Sequence, residues 1–180
     1  QTAITDLNFD ELWILPSSDR LDKKISVSGE ERFDMLSLMV KDLFSDSKTP
    51  IKVKRYELDR NKQTTTFDTK NALKKMYPDI EFHFLIGSDI LPEIKTKWVR
   101  GEEVWQTTNF ILAYRPGLKK DATKSELPPH CTLIENGSKL IGLSSTDVRS
   151  YIFKNGATEN TVSQFTSPSV AKYVSEKKLY

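Results

Sequence analysis

Short apolar runs alternating with helix-period segments limit the fold of this chain more than any other feature. "ELWILP" (11–16), "IKVKRYEL" (51–58), "IEFHFLIG" (80–87), "NFILAY" (109–114) and the weaker "CTLIEN" (131–136) each have the length of a strand. Between the first two, "SGEERFDMLSLMVKDLF" sets Phe33, Leu36, Met39, Val40 and Phe44 at helical spacing, with Ser28 as its cap and Glu30 and Glu31 in its first turn. "FDTKNALKKMYP" predicts a helix ending near Pro78, "GEEVWQ" another, and helices at "SSTDVR" and "SPSVAKYVSEKK" close the chain. The alternation predicts an α/β fold, a doubly wound and mostly parallel sheet with helices on both faces. A length of 180 residues predicts a single domain.

Composition excludes some partners. With 27 basic and 25 acidic residues, the net charge of +2 singles out neither nucleic acid nor an anionic membrane. No apolar run approaches the length of a membrane span. Cys131 is the only cysteine, so no internal disulfide can form, and His83 and His130 make no cluster with zinc-ligand spacing. A reducing compartment, the cytoplasm, and no structural metal are expected. "QTAITDLNFDE" has neither the basic nor the apolar region of a signal peptide and no initiator methionine, so the natural start is expected upstream.

In an open parallel sheet, ligands gather beyond the carboxyl ends of the strands. Candidates stand in four such places: Ser17 to Lys24, Thr64 to Thr66, Gly87 to Asp89, and Arg115. In "IGSD", Gly87 lets a ligand approach the backbone and Asp89 can accept hydrogen bonds from ribose hydroxyls; a tight turn with a capping aspartate explains the same letters. In "SSTDVR" (144–149) a helix N-terminus, hydroxyls and the Arg149 fork compose an anion site. Against it stands a hydroxyl cap with Arg149 paired to an acidic neighbour. Trp98 and Trp105 sit at helical spacing, so at least one belongs to the core, and "KTKWVRG" gives Trp98 polar surroundings where a planar ring could stack. Arg20, Lys23 and Lys24 read as a solvated loop or as phosphate contacts. His83 reads as a satisfied structural histidine and Cys131 as a small buried residue.

Taken in order, "DELWILPSS", "ERFDMLSLMV", "ELDRN" then "TTTFDT", "FLIGSDIL", "KWVRGEEVWQTTNFILAYRPG", "LSSTDVRSYIFKNG" and "VAKYVSEKKLY" resemble the nicotinate and nicotinamide mononucleotide adenylyltransferases, Rossmann-like members of the nucleotidyltransferase superfamily. The match runs from residue 10 to the last residue. The resemblance implies transfer of AMP from ATP, with Mg²⁺, onto the phosphate of a pyridine mononucleotide in NAD biosynthesis, by in-line displacement that releases pyrophosphate. It implies that Gly87 and Asp89 hold the adenosine side and that Ser144, Ser145, Thr146 and Arg149 hold the triphosphate. It also implies that Trp98 stacks on the pyridine ring, with Thr66 and Arg115 lining the mononucleotide side. An assembly of identical subunits would be in keeping with the family.

The chain departs from the family pattern at Thr65, where an aromatic residue is common in bacteria; Phe67 follows nearby, and discrimination between nicotinate and nicotinamide is left open. The family's first strand and its GxFxPxHxGH loop, whose histidines stabilise the α-phosphate, have no counterpart in these 180 residues. The catalytic histidines are therefore expected upstream of Gln1, and the first central strand with them. Without that strand the sheet is expected to fall into two halves, and the chain to catalyse poorly. Two other readings stay open: a noncatalytic nucleotide-binding protein that keeps the SSTDVR site, and a nucleotidyltransferase with another phosphorylated acceptor.

Overall fold

The computed structural model describes residue 4 and residues 7–18, 27–60, 62–113, 127–134 and 144–180. Two compact units divide the chain, residues 8–64 with 143–180 and residues 1–7 with 65–142, and each has its own parallel sheet. Strand pairing is parallel in both sheets, and among the described residues a helix stands between successive strands except the last two, an α/β pattern.

In the first unit β1 (Leu12–Ile14) pairs with β2 (Ile51–Val53), Leu12 opposite Ile51 and Ile14 opposite Val53. The crossover is α1 (Gly29–Phe44), and Ser28 caps it as expected. The Ser28 hydroxyl accepts the Glu31 N–H at 3.2 Å, while the Glu31 carboxylate accepts the Ser28 N–H at 2.8 Å. This reciprocal pair satisfies donors that a helix start leaves orphaned. Three further helices follow at the C-terminal end: α5 (Ser145–Asn155), α6 (Glu159–Val162) and α7 (Pro168–Lys177). Their Ile152, Val162, Val170, Ala171 and Val174 form a buried cluster with Val27 and Leu179, onto which α1 packs Met35, Leu38 and Met39. The Ser167 side chain makes no cap for α7; instead Asp42 of α1 accepts the Ser169 N–H at 2.9 Å and its hydroxyl at 2.7 Å. A carboxylate there also complements the positive end of the helix dipole.

The second strand stops at Val53, short of the 51–58 run that its alternation predicts. Its partner β1 offers only three residues to pair with, and past it Arg55 enters a turn. Its guanidinium holds Glu30 at 2.7 and 2.5 Å and Asp59 at 3.1 Å, and the chain turns as the Asp59 N–H bonds the Arg55 carbonyl at 3.0 Å.

The second unit holds β3 (His83–Gly87), β4 (Asn109–Ala113) and β5 (Cys131–Ile134) in that order, with His83 opposite Asn109, Gly87 opposite Ala113 and Phe110 opposite Cys131. β4 is central, and Phe110, Ile111 and Leu112 are buried along it, as expected of a parallel strand covered on both faces. The helices here are α2 (Thr66–Met76), a 3₁₀ turn (Ser88–Ile90), α3 (Leu91–Lys97) and α4 (Gly101–Thr107). Ile94, Val104, Trp105 and Phe110 make the core, so Trp105 is the core tryptophan of its pair. His83 opens β3 rather than lying within it; its Nε2 is 3.4 Å from a Glu81 oxygen that also accepts from Asn109 at 2.9 Å. That pairing fits a structural histidine. Cys131 packs against the core, and burial pushes its thiol pKa up, away from the thiolate a nucleophile needs.

Candidate active site

Gly87 ends β3, so the chain leaves the sheet at its carboxyl edge directly into the 3₁₀ turn that carries Asp89. The Gly87 backbone is extended, φ −82° and ψ 151°, a conformation open to any residue; what glycine contributes is the missing side chain. Asp89 is exposed, and neither the 3₁₀ turn nor α3 begins with a side-chain cap bond.

Trp98 terminates α3 and turns extended, φ −83° and ψ 146°. Its carbonyl accepts the Gly101 N–H at 3.0 Å, closing a turn into α4. The ring is half-buried and rests against Ile94, Val104, Trp105 and Phe110. Phe67, which follows Thr66 at the start of α2, packs on that same cluster. Thr65, the departure from the family pattern, caps α2: its hydroxyl accepts the Asp68 N–H at 3.2 Å and donates to the Asp68 carboxylate at 2.8 Å. Arg115 lies outside the described residues, as do Arg20, Lys23 and Lys24.

The remaining candidates belong to the other unit. Ser144 caps α5, accepting the Asp147 N–H at 3.1 Å while its own N–H and hydroxyl reach the Asp147 carboxylate at 2.9 and 2.6 Å. These bonds, the Ser144 hydroxyl first, hold the Asp147 pKa below the usual carboxylate range. Ser145, Thr146 and Arg149 are exposed along the first turn and a half. Arg149 Nη2 lies 3.4 Å from the Thr146 hydroxyl, and among the described residues it pairs with no acidic neighbour. One serine is thus spent on capping, and Ser145, Thr146 and Arg149 are left beside free helix N–H groups, the chemistry that binds phosphate.

Sequence reasoning named Ser17 at a strand's carboxyl end and missed its partner Arg32 and the cavity beside them. After β1, Ser17 and Arg32 line a cavity of about 380 Å³ walled by Met35, Leu36, Met39 and Val170. Arg32 Nη1 donates to the Ser17 carbonyl at 2.6 Å and its hydroxyl at 3.2 Å. The partners are 15 residues apart, and no local pattern announces the contact.

No family model matches the sequence. A curated relative does, the "Probable nicotinate-nucleotide adenylyltransferase" of Shouchella clausii, 30% identical over 184 residues that span 100% of this chain and 86% of that one. The chain belongs to the nicotinate-nucleotide adenylyltransferase family. A protein of the same name in Exiguobacterium sibiricum is 28% identical over 181 residues, covering 100% of this chain and 88% of that one. Among solved structures, Plasmodium falciparum nicotinic acid mononucleotide adenylyltransferase complexed with NaAD superposes with a TM-score of 0.83 at 26% identity, over 99% of this chain and 87% of that one. A second structure of that enzyme, complexed with APC, gives a TM-score of 0.77 at 23% identity, a likeness of fold.

Proposed function

We propose that this adenylyltransferase joins AMP from ATP to nicotinate mononucleotide in NAD biosynthesis, the whole chain serving as one nucleotidyltransferase domain. A phosphate oxygen of the mononucleotide attacks the α-phosphorus of ATP; the bond from that phosphorus to the bridging oxygen breaks, and pyrophosphate leaves. The observation that carries the reading is the match of the whole given chain to 86% of a nicotinate-nucleotide adenylyltransferase, with supporting likeness to an enzyme bound to NaAD, the deamido dinucleotide such a reaction makes.

The chain's own groups supply positioning and charge. Ser145, Thr146, Arg149 and the α5 N–H groups would hold the triphosphate, with Ser144 shaping the turn. Gly87 and Asp89 would receive the adenosine, Trp98 the pyridine ring, and Thr66 and Arg115 the rest of the mononucleotide. Mg²⁺ would enter as the metal complex of ATP, a substrate, and supply charge neutralisation on the phosphates. The compartment assigned is the cytoplasm, on the redox argument from Cys131.

The test is a mass-spectrometric product assay on the gene-complete protein, supplied with ATP, Mg²⁺ and, in separate tubes, either pyridine mononucleotide. Dinucleotide and pyrophosphate in equal amounts support the reading, and Arg149→Ala is expected to raise the KM for ATP by roughly tenfold or more. A folded protein that binds ATP and makes no dinucleotide overturns it in favour of a noncatalytic binding protein or another acceptor.

A further inference from the structure

Arg100 stands in the left-handed region, φ 52° and ψ 41°, at the N-cap of α4. A side chain with a Cβ resists this conformation, which persists only where the surroundings over-determine it. They do so here. The Gly101 N–H is bonded back to Trp98, the Arg100 carbonyl accepts the Val104 N–H at 2.9 Å, and Gly101 is pressed against the backbone of Ile94 and Lys95. The consequence is the placement of a guanidinium. Its carbon lies 4.5 Å from the centre of the Phe67 ring, and Nη2 pairs with Glu103. Arg100 Nε and Nη1 have no acceptor among the described residues, and the side chain is 60% exposed.

Phe67 and Trp98 both pack against one core cluster, Thr66 precedes Phe67, and Arg100 follows Trp98 by two residues, so this cation, stacked on Phe67, belongs to the neighbourhood of residues assigned to the pyridine side. The two pyridine acceptors differ only in a ring substituent, an anionic carboxylate against a neutral carboxamide. We propose that Arg100 is the residue that selects nicotinate, by forking its guanidinium onto the ring carboxylate; this rests on the reading of Trp98 as the pyridine platform. A guanidinium stacked on an aromatic face keeps its in-plane donors available, and its fork matches a carboxylate better than a lysine ammonium does. With Thr65 committed to capping α2, charge does what a second aromatic clamp would not, since ring stacking alone cannot tell the two acceptors apart. Glu103 is the counterweight, competing for the guanidinium and repelling the incoming carboxylate.

The test measures kcat/KM for nicotinate and nicotinamide mononucleotides, and KM for ATP, in the full-length protein. Arg100→Asn suits it, because asparagine tolerates the left-handed region and the turn is kept. Arg100→Asn is expected to lower kcat/KM for nicotinate mononucleotide roughly ten- to thirtyfold, through KM, with nicotinamide mononucleotide and ATP changing by about twofold or less. Arg100→Lys should recover part of the loss, and Glu103→Gln should sharpen the preference for nicotinate. Equal losses for both acceptors mean a structural role and overturn the proposal, as does no change. A parent protein that makes no dinucleotide from either acceptor overturns the functional reading, and the proposal falls with it.

Discussion

Gly101 gives the sharpest test of the turn that carries Trp98. A methyl built there would stand 3.0 Å from the Ile94 carbonyl carbon and 3.1 Å from that of Lys95, and would overlap the Ile94 oxygen outright. All three atoms are backbone at the end of α3, so no side chain can swing aside to make room. Gly101→Ala must therefore push α4 off α3, parting Val104 and Trp105 from Ile94, which is fully buried. Overpacking commonly costs about 1–3 kcal/mol, and with rigid backbone on both sides the upper end, about 3 kcal/mol, is expected. For a chain of this size that lowers the thermal midpoint by about 6–12 °C. Urea unfolding followed by tryptophan fluorescence reads both the midpoint and the environments of Trp98 and Trp105. Val99→Ala, at a position 55% exposed in the same turn, should change stability by about 0.5 kcal/mol or less. A Gly101→Ala protein within about 1 kcal/mol of the parent, with unchanged fluorescence, would refute the reasoning, because the contact of α3 and α4 would then have slack.

Loss of the Ser144 hydroxyl in Ser144→Ala should cost about 1 kcal/mol of stability by urea unfolding, the usual worth of an N-cap. Asp147 and Asp42 are both held below their ordinary pKa, Asp147 first by the Ser144 hydroxyl and Asp42 first by the Ser169 hydroxyl, and Glu31 below its own by the Ser28 N–H. A lowered native pKa means that the unfolded chain takes up protons first. Stability from these groups is present above the ordinary carboxylate range and drains as pH falls through the native values; a thermal midpoint that does not fall between about pH 5 and pH 3 would contradict this. Asp42→Ala should lower the midpoint at neutral pH by uncapping α7, and an unchanged midpoint would show that water caps it as well. The Cys131 thiol should react slowly with a disulfide reagent at about pH 8 and faster after unfolding, since its pKa is raised by burial; equal rates would refute this.

Features set within one helix or one strand were legible in the sequence. Ser28 followed by Glu31 announces a capping box because both partners lie within one turn, and Ser144 with Asp147 does the same. The apolar run of β4 announced a central parallel strand, because burial on both faces requires such a run. Where local pattern and distant partner disagree, the partner wins. "IKVKRYEL" alternates like a strand throughout, yet its partner β1 offers only Leu12–Ile14 to pair with, and the strand ends at Val53. Thr65 read as a lost aromatic clamp and serves as a helix cap, a role its spacing to Asp68 already allowed.

By itself, then, the sequence determined which segments become strands and helices, where several helices start, and which family supplies the chemistry, since all of these rest on periodicity, short-range hydrogen bonding and ordered motifs. Tertiary structure alone decided that Asp42 caps α7 across 127 residues, that Arg32 meets Ser17 beside a cavity, and that Arg100 is held left-handed over Phe67. Those contacts join segments whose meeting depends on how helices pack, and packing is settled by the fit of whole surfaces, which no local pattern encodes.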